Sequence, residues 1–224
     1  MKALLLVDLQ NDFLPGGALA VADGDDVIPV ANRLQRLFSR VIATKDWHPA
    51  DHGSFASNHP GRAVGDSIEL GGQPQVLWPD HCVQGTRGSD FAPGLDTSEV
   101  EKVFYKGTDP GVDSYSAFFD NAHLRSTGLD DYLRETGVDE IYVLGLATDY
   151  CVRYTAFDAL RSGYKVHVVE DGCRGVDLEP DDSERALEEM REAGVDVIAS
   201  TDLPVGEPGP GRPAMAEDAS GATA

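Results

Sequence analysis

The chain has 224 residues, 41% hydrophobic and 25% charged, which suits one sizeable buried core in a soluble domain. A formal net charge of -21 excludes binding along a phosphate backbone, which needs clustered Lys and Arg. The apolar runs are too short to span a bilayer, Met1-Lys2 leads into a strand pattern without a leader, and three cysteines make no disulfide framework. We therefore expect a cytoplasmic protein with free thiols and neither nucleic acid nor membrane as a partner.

In chain order, residues 3–7 form an unbroken apolar run ending at Asp8, the pattern of a strand covered on both faces. Helical spacing follows over 27–38, then a short strand pattern over 41–43. From 46 to 96 the chain is rich in Gly, Pro, His and Asn, and a loop this long in a compact domain is usually functional or disordered. Its aromatic and histidine content favours function. Strand patterns return at 103–105, 141–146, 166–169 and 195–198, separated by helical patterns at 129–136, 150–161 and 183–193, the last closed by Gly194. Alternation of this kind builds right-handed βαβ units, so the expected fold is a three-layer α/β/α domain around a mostly parallel six-stranded sheet. One domain should cover 1–203, and the Pro, Gly and Ala-rich stretch 204–224 reads as a disordered tail. The segment 170–202 carries 12 acidic and 3 basic residues, read as a solvated face rather than a docking surface.

Ligands of open α/β sheets bind outside the carboxyl ends of the parallel strands. At that edge the sequence delivers Asp8 after the first strand, Asp46 and His48 after the second, Lys106 after the third and Cys151 after the fourth. Cys151 precedes a helical pattern, and a helix N-terminus together with Lys106 favours thiolate over thiol. Asp8 is placed to take the thiol proton and return it to a leaving amine. The competing reading is a small buried hydrophobe, to which Cys82 and Cys173 conform better. In an extended strand end Asp46 and His48 point the same way, and His81 completes a set of one carboxylate and two imidazoles with open positions. Loop histidines are also commonly mere surface residues. Phe13, Trp78 and Tyr115 lie at the same edge and are placed to wall a flat aromatic ligand, although core packing explains any one of them equally well. No phosphate-binding glycine motif is present.

Taken together, Val7-Asp-Leu-Gln-Asn-Asp-Phe13, Thr44-Lys-Asp-Trp-His-Pro49, Ser54-Phe-Ala-Ser-Asn-His59, Trp78-Pro-Asp-His-Cys-Val-Gln84, Phe104-Tyr-Lys-Gly107 and the segment from Gly145 to Val152 resemble the nicotinamidase branch of the isochorismatase-like cysteine hydrolases over nearly all of residues 2–202. The resemblance implies a catalytic set of Asp8, Lys106 and Cys151, an oxyanion hole from the N–H groups of Ala147 and Cys151, and a cis peptide at Leu146-Ala147. It implies one divalent metal, zinc first and iron or manganese as alternatives, on Asp46, His48 and His81. The fourth metal position falls on Ser54 acting through a water, with His52 as a substitute. The implied activity is that of an amidase converting nicotinamide, or its analogue pyrazinamide, to the acid and ammonia through a thioester, within pyridine nucleotide biosynthesis, in a homo-oligomer or a monomer. Its rivals are a relative acting on N-carbamoyl or ureido compounds or isochorismate, a metal-hydroxide amidohydrolase with a structural cysteine, and a non-catalytic metal-binding protein. The stretch 108–113 is slightly longer than in some relatives, which leaves that part of the pocket wall open.

Overall fold

The computed structural model describes residues 1–203, so the tail expected over 204–224 lies outside the described residues. The elements are β1 (Lys2–Val7), α1 (Val27–Gln35), β2 (Val41–Asp46), β3 (Ser67–Leu70), β4 (Gln73–Val76), β5 (Val100–Lys106), α2 (Leu129–Glu135), β6 (Glu140–Leu146), α3 (Arg153–Arg161), β7 (Lys165–Arg174), α4 (Asp182–Ala193) and β8 (Asp196–Ile198). Six strands form one sheet in the order β5-β2-β1-β6-β7-β8, and every neighbouring pair is parallel. The unbroken apolar runs explain this. Ala3 to Val7 of β1 are at most 1% exposed, as a central strand covered on both faces requires. Helices pack over the sheet, α1 on β1, β6 and β7, and α3 on β7 and α4.

Because β1 is central and the chain moves first to β2 and later to β6, the crossover direction reverses beside the end of β1. This is the place where an α/β sheet opens a crevice. Close strand approach there depends on Gly145 of β6, whose φ is 133° and whose missing side chain leaves room for β1: a Cβ would sit 2.1 Å from the Val7 carbonyl oxygen. Gly145→Ala must therefore separate the two central strands or strain the backbone. We expect a loss of about 3 kcal/mol or more in urea unfolding, and an unchanged midpoint would contradict this packing account.

Several elements depart from the sequence expectation: β5 and β7 run beyond the expected 103–105 and 166–169, and two departures are larger. The helix expected over 27–38 ends at Gln35, after which Leu37 and Phe38 turn back onto Leu34 and Gln35 through their N–H groups at 2.8 and 3.3 Å. The long loop contains an antiparallel hairpin, β3 and β4, joined at Gly71-Gly72 with φ of 58° and 77°. Two successive positive φ values are what a tight two-residue hairpin turn requires, and the glycine pair after the alternating Ser67-Ile-Glu-Leu70 was its signal. Among the described residues no helix is long and apolar enough to cross a membrane.

Candidate active site

The strand ends converge as expected. Asp8 follows β1, Asp46 closes β2, Lys106 closes β5, and Cys151 lies in the turn after β6; all four are buried. Lys106 is the hub: its Nζ lies 2.7 Å from Asp8 Oδ2, forms an ion pair with Asp46 Oδ1, and stands 3.3 Å from Cys151 Sγ and 3.2 Å from the Ser114 carbonyl. Asp8, Asp46 and Cys151 each bring one ligand-type atom within 4.8 Å of the others. Asp8 occupies left-handed backbone space at φ 50°, an uncommon place for a non-glycine residue. Thr44 fixes it there: the hydroxyl donates to Asp8 Oδ1 at 2.7 Å and accepts from the Asp8 N–H at 3.2 Å.

Electrostatics assigns the protons. Burial pushes Asp8 up to about 6 against the opposing pull of Lys106, so the carboxylate is a base at neutral pH yet holds a proton readily. Burial alone would raise Asp46 too, but Lys106, His48 and His81 outweigh it and hold that carboxyl well below the ordinary range. Burial also opposes the charge on Lys106, and Asp46 and Asp8 overcome it, so the amine stays protonated. Cys151 contradicts the expectation of a resting thiolate. Desolvation, with Asp8 and Asp46 adding to it, drives its thiol well above 9.0 despite Lys106. The resting sulfur carries its proton and needs a base to remove it. The local turn also differs, because Cys151 lies in a π-helical turn over Thr148–Val152 that precedes α3, and the Leu146-Ala147 peptide is cis.

Asp46, His48 and His81 present ligand atoms within 4.8 Å of one another, all buried. Asp46 commits Oδ1 to Lys106 and turns Oδ2 toward His81 Nε2 at 3.7 Å. His81 uses Nδ1 to donate to the Pro79 carbonyl at 2.8 Å, leaving Nε2 for this cluster. His48 has a buried Nδ1 without a hydrogen-bond partner, while its Nε2 faces Asp113 Oδ1 at 3.2 Å. A carboxylate, two imidazoles and an unsatisfied buried nitrogen fit a divalent transition metal, and a carboxylate behind a ligating histidine is the usual support for one. Ser54 is buried beside His52. Its hydroxyl bonds His52 Nδ1 at 2.7 Å, and the His52 ring, whose pKa burial lowers to about 4, packs 4.4 Å from that of His48. His48, His52 and Asp113 thus form a second close group.

Phe13, Trp78 and Tyr115 line one pocket with Cys151, Ala147 and the metal-type residues. Trp78 Nε1 donates to the Tyr115 hydroxyl at 3.1 Å, and Tyr150 packs edge-on to Trp78 at 4.9 Å between ring centres. Sequence reasoning missed Leu19, Tyr150 and Val176, which complete the wall. It also missed three supports. Gln10 clamps Asp46 with both ends of its amide, accepting from the Asp46 N–H and donating to the Asp46 carbonyl, each at 2.8 Å. Asp12 accepts from the Cys82 N–H at 2.7 Å and so holds the turn that follows His81. Asp113, where burial is outweighed by the His48 bond together with the charges of His48 and His52 so that the carboxyl is held at about 2, was inside the stretch left open. Gln10 and Asp12 stood within a quoted motif, so their polar pattern next to Asp8 was an available signal; Asp113 offered none. Cys82 and Cys173 are buried free thiols, as expected of bystanders.

A buried thiol beside a carboxylate and an ammonium, at the carboxyl edge of a parallel sheet and facing an aromatic-walled pocket, is the arrangement that hydrolysis through a covalent cysteine requires. The isochorismatase domain model matches residues 2–202, and the chain belongs to that family. It is 54% identical to the nicotinamidase of Escherichia coli over 205 residues, covering 90% of this chain and 96% of that one. Among solved structures, the Acinetobacter baumanii nicotinamidase pyrazinamidase superposes with a TM-score of 0.87 at 49% identity, covering 90% of this chain and 97% of the other. The pyrazinamidase of Pyrococcus horikoshii in complex with zinc gives a TM-score of 0.72 at 40% identity, covering 88% and 98%.

Proposed function

We propose that this chain hydrolyses nicotinamide to nicotinate and ammonia, with Cys151 as nucleophile, Asp8 as proton carrier and Lys106 as the fixed cation between them. The supporting observation is Lys106 Nζ at 2.7 Å from Asp8 and 3.3 Å from the sulfur, which ties base and nucleophile to one charge. Asp8 takes the proton of the Cys151 thiol as the sulfur adds to the carboxamide carbon, and Lys106 offsets the negative charge left on the pair. The tetrahedral oxygen is received by the N–H groups of Ala147 and Cys151. Asp8 returns the proton to the departing nitrogen, ammonia leaves, and an acyl thioester remains on Cys151. Asp8 then accepts a proton from water as its oxygen attacks the thioester carbon, and the thiol is re-formed as nicotinate departs.

Asp46, His48 and His81 are the residues that would hold a divalent ion, with Ser54 reaching it through a water. Bound there, the metal would supply a Lewis-acidic anchor for a ring nitrogen. Zinc is our first assignment, supported by the zinc complex of the Pyrococcus relative. Phe13, Trp78 and Tyr115 hold the ring flat so that its carboxamide meets the sulfur. We further propose pyrazinamide as an alternative substrate, a cytoplasmic location, and a place in pyridine nucleotide biosynthesis.

The test offers purified protein nicotinamide, isochorismate and N-carbamoyl compounds, with ammonia and acid products measured before and after chelation. Nicotinate and ammonia should appear in equal amounts from nicotinamide alone. Chelation should reduce kcat/KM on the order of 100-fold, with recovery on adding Zn2+, as expected when an anchoring group is lost. Preference for either other substrate would overturn the reading.

A further inference from the structure

Asp149, two residues before the nucleophile, is absent from the chemistry above, yet it is 6% exposed and both its carboxylate oxygens are used. Neither bond goes to a cation. Oδ1 accepts from the Val176 N–H at 3.0 Å and Oδ2 from the Asp177 N–H at 2.8 Å, across a sequence gap of more than 25 residues. Val176 lines the catalytic pocket beside Ala147 and Cys151. Asp177 is held at a positive φ of 49°, and its own carboxylate accepts from the Ser183 N–H at 2.7 Å in the first turn of α4. The approach is close: a Cβ on Gly175 would meet Asp149 Oδ1 at 3.1 Å and Ser183 Oγ at 1.7 Å. On the other side of Asp149, Tyr150 carries the turn into the aromatic wall through Trp78 and Tyr115.

We propose that Asp149 is a positioning residue that fastens the 175–177 loop to the turn bearing Cys151, setting the width of the substrate slot and the approach to the sulfur. One carboxylate thereby couples two walls of the pocket that come from different crossovers, and an ionised acceptor gives it two charge-assisted bonds to backbone donors. This rests on the assignment of Cys151 as nucleophile and adds a specificity element to it.

The experiment uses the full chain with Asp149→Asn and Asp149→Glu, measuring alkylation of Cys151 by iodoacetamide across pH, the kinetic constants on nicotinamide, and thermal unfolding. Asp149→Asn keeps the size but turns an amide donor toward one of the two N–H groups. We expect its KM to rise about 10-fold or more, with a smaller change in kcat, as a loosened slot binds the ring less well. The plateau rate of alkylation should rise several-fold without movement of the pH midpoint, because the thiol becomes more accessible rather than more acidic. Asp149→Glu should recover part of the KM. A variant with unchanged KM and unchanged alkylation plateau overturns the proposal, whatever its melting temperature, since a merely structural bond moves only the latter. A shift of the alkylation midpoint alone also overturns it, because the carboxylate would then act on the thiol through its charge. If Cys151→Ala retains turnover, the nucleophile assignment fails, and that is a different result from either.

Discussion

Cys151→Ala is expected to lower ammonia release from nicotinamide by a factor on the order of 10⁴ or more while leaving the fold and the metal content unchanged. The size follows from the division of labour, because Cys151 brings a thiol that both contacts Lys106 and lines the pocket, and removal of a covalent nucleophile from a concerted set abolishes nearly all its benefit. Stability should change little: Cys151 contributes one small buried side chain, and the ion pairs of Lys106 with Asp8 and Asp46 do not pass through the sulfur. Inductively coupled plasma analysis and circular dichroism of the variant check both conditions. Residual turnover near the wild-type rate would leave Cys151 as a buried hydrophobe and transfer the chemistry to a metal-bound hydroxide.

Lys106→Met should damage stability and activity together. Lys106 is 2% exposed and is the cation that Asp8 and Asp46 share. Removing one partner of a buried charge set costs about 3 to 5 kcal/mol, because the remaining charges stay desolvated and uncompensated. Here the two carboxylates would also repel each other. Asp8, already raised to about 6 with Lys106 opposing the rise, should climb further and hold its proton at neutral pH, so the base is lost along with the cation. The sign of the pH dependence follows. A carboxyl whose folded value exceeds its unfolded value of 3.8 takes up protons on folding, so the variant's stability should fall as pH rises from 3.8 through the raised folded value, which lies above 6. Urea unfolding at several pH values, beside ammonia release, measures both. A variant as stable as the parent at neutral pH would show that the pairs contribute little.

The central sheet was legible because burial on both faces leaves a plain record, as in the apolar runs 3–7, which stops at Asp8, and 141–146. The convergence of Asp8, Asp46 and Lys106 was legible for the same reason, since each closes or directly follows a strand and parallel strands end together, whereas His81 reaches the group from the long loop. The geometry of the turn around Cys151 left no such record, since a π-helical turn and an α-helical first turn have the same residue pattern. Nor did the proton balance. Placing Cys151 beside Lys106 suggested a thiolate, but desolvation of a fully enclosed sulfur outweighs one ammonium that two carboxylates already engage. Gln10, Asp113 and Asp149 share a different obscurity. Gln10 and Asp149 act by bonding backbone groups far away in sequence, and Asp113 by bonding His48, so nothing local reveals their roles, although Gln10 does stand in a polar motif beside Asp8.

The central claim is that the sulfur of Cys151 becomes acylated during turnover. Rapid acid quench of the enzyme mixed with nicotinamide, followed by peptide mass spectrometry, tests it most directly. A nicotinoyl group on the peptide containing Cys151, formed within the first turnover and absent from Cys151→Ala, is the predicted result; full turnover by the Cys151→Ala protein, with no adduct on any wild-type peptide, would contradict it.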